Sequence, residues 1–400
     1  MINKLLIKGS ATLLIAFGVY NFFHFLFQFF MARMLSISDY GVLAVLFAIL
    51  YLFSLFTESI QVVITKYTTN VKDNGELKSI YKASTKKALK ISFILLIIFL
   101  VISVPLSLIL KIDYGLMSLN GLMIFLAFLL PIGRGIIQGK GKFRALGINM
   151  IIESGSKLFI GIVLVYFGLR VYGAIAAVIL GATLALVLSY ETLKDIRKAE
   201  EKEFKTKGIN KYALSAFLIT TIIVIFYSID VILARLFFSP EIAGSYAIAS
   251  MLGKIIFWGT LPISKAMFPM SAENSLHKNR SDNVFANALG ILSFSILSVL
   301  AMFYFFPELI IKIFSGKIIP ESISILFYVG IAFSFISLTN LILLHKLSLG
   351  KVRGYFSLFI FIAIEIFLLS YFSKDLLQYS IAFITASAIL LWGTIVLIKD

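Results

Sequence analysis

Residues Ala11 to Phe30 read ATLLIAFGVYNFFHFLFQFF, twenty residues without a Lys, Arg, Asp or Glu. A helix rises about 1.5 Å per residue, so about 20 such residues cross the roughly 30 Å hydrocarbon core of a bilayer. The run exceeds the about 7–15 apolar residues of a secretory signal, and no small-residue cleavage pattern follows it. It therefore reads as a retained first crossing. Further apolar runs follow, giving twelve in all, centred near Ile15, Leu52, Phe99, Phe125, Gly161, Ile179, Ile222, Leu252, Leu297, Phe333, Phe361 and Ile389. They are continuously apolar, which selects helices over the alternating strands of a barrel. Of the 400 residues 60% are hydrophobic and 14% charged, against about 45–50% and 25% in a soluble domain. Cysteine is absent, which excludes disulfides and thiolate metal sites.

The formal net charge of +16 would suggest nucleic acid in a soluble chain. Its placement gives another reason. With the N-terminus on the cytoplasmic side, 26 of the 36 Lys and Arg residues fall in inner segments and 7 in outer ones, and Lys157, Lys254 and Lys265 lie within spans. That asymmetry follows the positive-inside rule. It places a multi-pass protein in the cytoplasmic (plasma) membrane with both termini inside, and leaves nucleic acid without a role. The densest inner loop, Lys66 to Lys90, holds seven lysines. Orientation accounts for it; such a loop can also touch anionic lipid at about 1 kcal/mol per lysine.

The chain repeats itself. Ala32-Arg33-Met34-Leu35 with Ser38-Asp39 and Gly41 recurs as Ala234-Arg235-Leu236-Phe237 with Pro240-Glu241 and Gly244, and Gly141-Lys142-Phe143-Arg144 recurs as Gly350-Lys351-Val352-Arg353. The offsets, 202 and 209 residues, divide the chain into halves of six spans. Six crossings return the chain to its starting side, so the halves are expected to be related by a pseudo-twofold axis along the membrane normal. The expected division is an N-lobe at 1–195, a charge-alternating cytoplasmic linker at 196–210 and a C-lobe at 211–400. The fold class is all-α: a membrane protein of twelve transmembrane helices in two six-helix lobes.

The motifs Ala32-Arg33-Met34-Leu35-Ser36 with Asp39-Tyr40-Gly41, Arg134-Gly135-Ile136-Ile137-Gln138-Gly139 with Phe143 and Arg144, Gly168 and Gly173, and Glu241 with Ala243-Gly244-Ser245-Tyr246 carry a family likeness over nearly the whole chain. The sequence resembles the polysaccharide or O-antigen flippases of the multidrug/oligosaccharidyl-lipid/polysaccharide exporter superfamily. The resemblance implies a MATE-like pair of lobes about a central cavity lined by spans one, two, seven and eight, with a lipid-linked saccharide as substrate.

Polar residues in these spans fall on helical stripes. Asn21, His24 and Gln28 share a face of span one; Ser54, Glu58, Gln61 and Thr65 share one of span two; Thr220, Tyr227 and Asp230 share one of span seven; Tyr246, Ser250 and Lys254 share one of span eight. A charge at bilayer depth costs at least about 2.5–3.5 kcal/mol and is kept where water or a partner meets it. Asn21, His24, Gln28, Glu58, Gln61, Lys157, Asp230 and Lys254 are accordingly the candidate cavity residues. Interhelical hydrogen bonds worth about 0.6–2 kcal/mol are the alternative for the uncharged members. Glu153 and Lys157 at i and i+4 have the orientation of an intrahelical ion pair. Glu58, Asp230 and Glu365 are candidates for ion coupling to H+ or Na+, and Arg33 and Arg235 are repeat-related cations expected at the outer mouth.

Other chemistries find no support. Gly133 to Lys140 has the wrong spacing for a phosphate-binding loop and lacks the Ser or Thr that should follow its lysine. Lone His24 has no second ligand for a metal, and no cofactor motif occurs. Asn279-Arg280-Ser281 matches a glycosylation acceptor on what is expected to be the inner side. The function expected is transport, not enzymatic: flipping of a lipid-linked oligosaccharide, a polysaccharide precursor, by alternating access. Its expected partners are that substrate, membrane lipid and polysaccharide-assembly enzymes. A cation-coupled multidrug exporter of the same superfamily is the alternative; a membrane glycosyltransferase or polymerase would need acids or bases gathered at a wet site, and the outer loops are short.

Overall fold

The computed structural model describes residues 4–69, 71–203, 211–273, 278–350 and 355–397, and among them regular structure is entirely helical. The linker residues 204–210 and the repeat residues 351–353 lie outside the described residues, as do the side chains of Asn279 and Arg280. In chain order the helices are α1 (Lys4–Met34), α2 (Ile37–Thr69), α3 (Asn74–Leu110), α4 (Tyr114–Gly121), α5 (Met123–Gly139), α6 (Phe143–Leu164), α7 (Arg170–Thr192), α8 (Lys194–Lys198), α9 (Lys211–Phe237), α10 (Pro240–Glu273), α11 (Lys278–Phe305), α12 (Pro307–Ser315), α13 (Pro320–Ser348), α14 (Phe359–Tyr371) and α15 (Leu376–Leu397). Among the described residues, ten helical stretches are long and apolar enough to cross a membrane. One of them, Phe143–Thr192, is 50 residues long. It breaks at a π turn where Gly168 adopts φ 88°, so α6 and α7 are separate crossings. The shorter apolar helix Phe356–Tyr371 completes the twelve. With no water in hydrocarbon to satisfy backbone groups, helices that bond internally are the form these runs can take. Arg134, placed by the charge count in an inner segment, lies within α5.

By contacts the chain groups into two compact units, Met1–Leu35 with Ile49–Gly208, and Ser36–Ala48 with Ile209–Asp400. The lobe drawn from sequence at 1–195 thus contains a segment, residues 36–48, that packs with the second group. The reason is a glycine contact at the starts of α2 and α10. A methyl added at Gly41 would sit 2.9 Å from Gly244 Cα, and one added at Gly244 would sit 2.6 Å from the Ile37 carbonyl carbon. Small residues let helix backbones approach this closely in lipid, where packing replaces the hydrophobic effect as the glue.

In the first unit α6 lies between α1 and α7. A methyl at Gly161 would lie 2.7 Å from the Phe27 ring, and one at Gly181 would lie 2.8 Å from the Glu153 carbonyl oxygen. Bare backbone at both places brings the middle of α6 into the interior. Gly135 is a point of close helix approach, with Ile64 Cβ only 2.7 Å from where its own methyl would be. In the second unit α13 is central, with Val329, Phe333, Ile336, Leu341 and Leu343 all buried. Apolar on every side, it packs against α10, α11 and α15.

At the N-terminal end of α3, Asp73 caps the helix, accepting from the Gly75 amide at 2.7 Å and the Glu76 amide at 3.3 Å. The same carboxylate pairs with Lys202 at 2.7 Å, and Lys82 pairs with Glu201 at 2.7 Å. Lys78 donates to the Ala199 carbonyl at 2.8 Å, and the Lys202 amide donates to the Gly75 carbonyl at 3.3 Å. The chain leaving α8 is thereby strapped to the start of α3. Exposed pairs are weak singly; the strap combines several.

Two outcomes are expected. Gly244→Ala should cost about 1–3 kcal/mol through overpacking, seen as a lower midpoint of thermal unfolding in detergent, whereas alanine at Gly259, where an added methyl meets nothing within 4 Å, should leave the midpoint in place. The second concerns pH. The Lys202 ammonium and the Gly75 amide hold the Asp73 carboxyl below its ordinary range, and Lys82 does the same for Glu201. A lowered carboxylate contributes fully above its ordinary pKa of about 4 and is lost as pH falls through the lowered value. Protection of the Lys202 amide from hydrogen exchange, corrected for the intrinsic rate, should hold at neutral pH and decline below about pH 4. Asp73→Asn should remove that pH dependence.

Candidate functional site

The polar residues read from the sequence fall into one cluster in each unit. In the first, Lys157 of α6 places Nζ 2.7 Å from His24 Nδ1 of α1. With the ammonium as donor, Nδ1 is the acceptor and Nε2 carries the hydrogen; that Nε2 is buried without a hydrogen-bond partner among the described residues. The Tyr20 ring centroid lies 4.3 Å from that of His24, and the Lys157 ammonium lies 4.7 Å from the centre of the Phe27 ring. The latter is within reach of a cation–π contact.

Glu153, expected to pair with Lys157 along its own helix, also takes the Arg134 guanidinium of α5, with NH2 to Oε2 at 2.6 Å. Arg134 Nε donates to Asn149 Oδ1 at 2.7 Å, and Asn149 donates onward to the Ala185 carbonyl at 2.6 Å. Spacing along one helix brings Glu153 and Lys157 near each other, but a planar guanidinium arriving from another helix engages both a carboxylate and an amide. Sequence reasoning missed Arg134 and Asn149 as interior residues. The available signal was the arginine's place after an unbroken apolar run, five residues before Gly139.

The remaining first-unit candidates divide. Gln61 donates to Gln138 Oε1 at 2.8 Å, Thr57 to the Ala127 carbonyl at 3.1 Å and Thr65 to the Gly135 carbonyl at 3.2 Å. This row binds α2 to α5, the interhelical alternative for the uncharged members. Ser54 bonds back to the Tyr51 carbonyl of its own helix. Asn21 and Glu58 are exposed, and Glu58 is within electrostatic range of Tyr20. Gln28 is buried. Arg33 is exposed and lies 4.4 Å from the centre of the Phe29 ring, whereas its repeat counterpart Arg235 is buried.

In the second unit the cluster centres on Asp230 of α9, which is fully buried. Its Oδ2 accepts from Ser250 at 2.6 Å and from Tyr246 at 3.2 Å, both on α10. Its Oδ1 faces the buried ammonium of Lys254 at 3.7 Å. Tyr379 of α15 donates to the Asp230 backbone carbonyl at 2.6 Å; nothing in its sequence neighbourhood marked this tyrosine. Glu365 of α14 lies within electrostatic range of Asp230. It is fully buried, and both its carboxyl oxygens have no hydrogen-bond partner among the described residues.

The repeat exposes a difference in sign. Lys157 and Glu365 are 208 residues apart, within the repeat offset, and each sits on the fifth span of its half. The first unit sets a lysine against a histidine there; the second sets a glutamate near an aspartate. One cluster can attract an anion, the other a proton or a metal cation.

The polysaccharide biosynthesis protein family matches residues 30–324. The chain belongs to that family. The matched residues take in Arg134, Asn149, Glu153, Lys157, Asp230, Tyr246, Ser250 and Lys254, while Tyr20, His24 and Phe27 precede them and Glu365 and Tyr379 follow them. An uncharacterized membrane protein of Methanocaldococcus jannaschii is 25% identical over 256 residues. The match takes in 60% of this chain and 60% of that protein, so the chain spans about three-fifths of the relative's length. Among solved structures, an inward-facing multidrug resistance MATE family transporter of the MOP superfamily aligns over 94% of this chain and 93% of its own, with a TM-score of 0.73 at 14% identity. A MOP superfamily transporter from Pyrococcus furiosus, described as having a binding pocket of reverse polarity, aligns over 99% and 95% with a TM-score of 0.62 at 13% identity. At these identities the likeness establishes the fold, the twelve-helix, two-lobe architecture of MOP transporters.

The Arg134–Glu153 pair of this family member has a measurable consequence. Removing one partner of a buried pair leaves the other charge uncompensated, at about 3–5 kcal/mol. Glu153→Gln should therefore lower the thermal midpoint far more than Glu58→Gln, at an exposed position. Equal losses would show that the pair contributes nothing to stability.

Proposed function

We propose that the protein moves a lipid-linked oligosaccharide, a precursor of a polysaccharide, from one leaflet to the other by alternating access. The observation that carries this reading is the family match over residues 30–324 in a chain made of twelve membrane crossings. A polysaccharide biosynthesis protein built of lipid-embedded helices has its natural task at the step where the precursor crosses the bilayer. The likeness to MOP superfamily transporters supports movement over synthesis. The basic excess of one set of loops puts both termini on the cytoplasmic side of the plasma membrane under the positive-inside rule. Enzymes that build and consume the precursor are the partners this step requires.

The two clusters take different parts. The Lys157–His24 pair offers nitrogen donors suited to the phosphate of the carrier lipid. Asp230, Lys254 and Glu365 carry two acids against one base. A fully buried carboxyl without hydrogen bonds requires a proton or a cation, which makes Glu365 the group through which an H+ or Na+ gradient is coupled. Asn21, Gln28 and Glu58 complete the polar surface offered to the sugar, and Arg33 and Arg235 stand at the outer ends of their spans.

Proteoliposomes carrying a fluorescent lipid-linked saccharide test this directly. Protein should accelerate flipping, Lys157→Gln should slow it, and Glu365→Gln should abolish its response to an imposed ion gradient while leaving the downhill exchange. Equal flipping with and without protein would overturn the reading. The second reading, a cation-coupled multidrug exporter, is favoured by the excess acid of Asp230 and Glu365 and by the MATE-like fold. Resistance to organic cations on expression in a pump-deficient host would support it over the first.

A further inference from the structure

The lysine-rich loop attributed to orientation alone borders a groove in the first unit. Tyr81 and Thr85 of α3, Leu129 of α5, and Leu186, Val187 and Tyr190 of α7 line an open groove of about 250 Å³. Its floor is aliphatic, and its hydroxyl-bearing side chains come from the ends of α3 and α7 that carry the basic residues. Tyrosines with an apolar body and a polar tip mark headgroup depth in membrane proteins.

One cation is fixed at the rim. The Arg197 guanidinium lies 3.2 Å from the centre of the Tyr190 ring, and its Nε donates to the Tyr190 carbonyl at 3.1 Å. Glu191 is 3.7 Å away and largely solvated, a weak competitor for that charge. The second source of positive charge is a row of lysines on α3, the helix that brings Tyr81 and Thr85 to the groove. Lys82, Lys86 and Lys90 recur at i, i+4 and i+8 on α3, all exposed, each one position beyond the row of Tyr81 and Thr85. Lys82 is engaged with Glu201; Lys86 and Lys90 extend the row toward the apolar part of the helix.

We infer that this groove is a binding site for an anionic phospholipid of the leaflet on the lysine-rich side. One acyl chain lies along Leu129, Leu186 and Val187, and the phosphate sits between Arg197 and the α3 lysines. Charge complementarity argues for that occupant: an aliphatic trough opening between cations at headgroup depth matches a molecule with an apolar tail and a negative head. A neutral lipid would gain the trough alone. Each basic group near an anionic lipid is worth about fivefold in affinity, so two or three of them give a preference of tenfold or more.

The test uses the full chain in a neutral detergent, titrated with phosphatidylglycerol or phosphatidylcholine, with bound lipid counted by native mass spectrometry. Phosphatidylglycerol should bind at least about tenfold more tightly. Arg197→Gln and Lys86→Gln should each weaken it about fivefold without changing phosphatidylcholine binding. Val187→Trp, on an exposed position that fills the trough, should weaken both lipids. Lys374→Gln, an exposed lysine of the second unit, should change neither. Equal affinity for the two lipids, or intact phosphatidylglycerol binding in Arg197→Gln and Val187→Trp, would overturn the inference. Displacement of phosphatidylglycerol by equimolar lipid-linked saccharide would also overturn it, by assigning the groove to the substrate. A protein that binds phosphatidylglycerol through Arg197 yet flips no saccharide would uphold the inference and reject the transport reading.

Discussion

Hydrocarbon offers no hydrogen bonds, so a charged side chain brought inside this protein has to find its partner on another helix. That constraint shapes both units. Arg134 of α5 and Glu153 of α6 neutralise each other, and Asn149 of α6 links Arg134 to the Ala185 carbonyl of α7. Asp230 draws on Ser250, Tyr246 and Lys254 of α10. Such arrangements require helices close enough for short polar side chains to meet, and glycine supplies the closeness. At Gly161 and Gly181 the backbones of α1, α6 and α7 leave no room for a methyl group.

The consequence is that the interior charges are not interchangeable. Glu153 pairs with Arg134 of a neighbouring helix, and Lys157 meets His24 of α1. In the second unit the corresponding span carries Glu365, whose oxygens have been given no partner among the described residues. The lysine-rich loops add a third charged region, where water, headgroups and the ends of α3 and α7 meet.

Much of the fold was legible in the residues. The twelve apolar runs correspond to the helices around Ile15 through Ile389, because hydropathy over about twenty residues is a property of the chain itself. Four of the stripe residues, Tyr246, Ser250, Lys254 and Asp230, meet as their periodicity suggested, since side chains three and four apart share a face. What stayed hidden was the partner distant in sequence. Arg134, nineteen residues before Glu153, donates to its carboxylate. Gln61 carried the look of a cavity residue and is bound to Gln138, 77 residues away. Tyr379 reaches Asp230 across 149 residues.

The amino-acid order by itself determined the membrane environment, the number of crossings, the internal duplication and which faces of the helices are polar. Each of these depends on local composition or on comparing one stretch with another. Only the tertiary structure decided which polar residues bind the bundle together and which keep a charge uncompensated by their helical neighbours. It also brought Arg197 over Tyr190 beside a trough from three helices. The physical reason is the same in each case: a hydrogen bond or ion pair reaches about 3–4 Å, and which helices come within that distance is set by packing at glycines and small side chains, not by spacing along the chain.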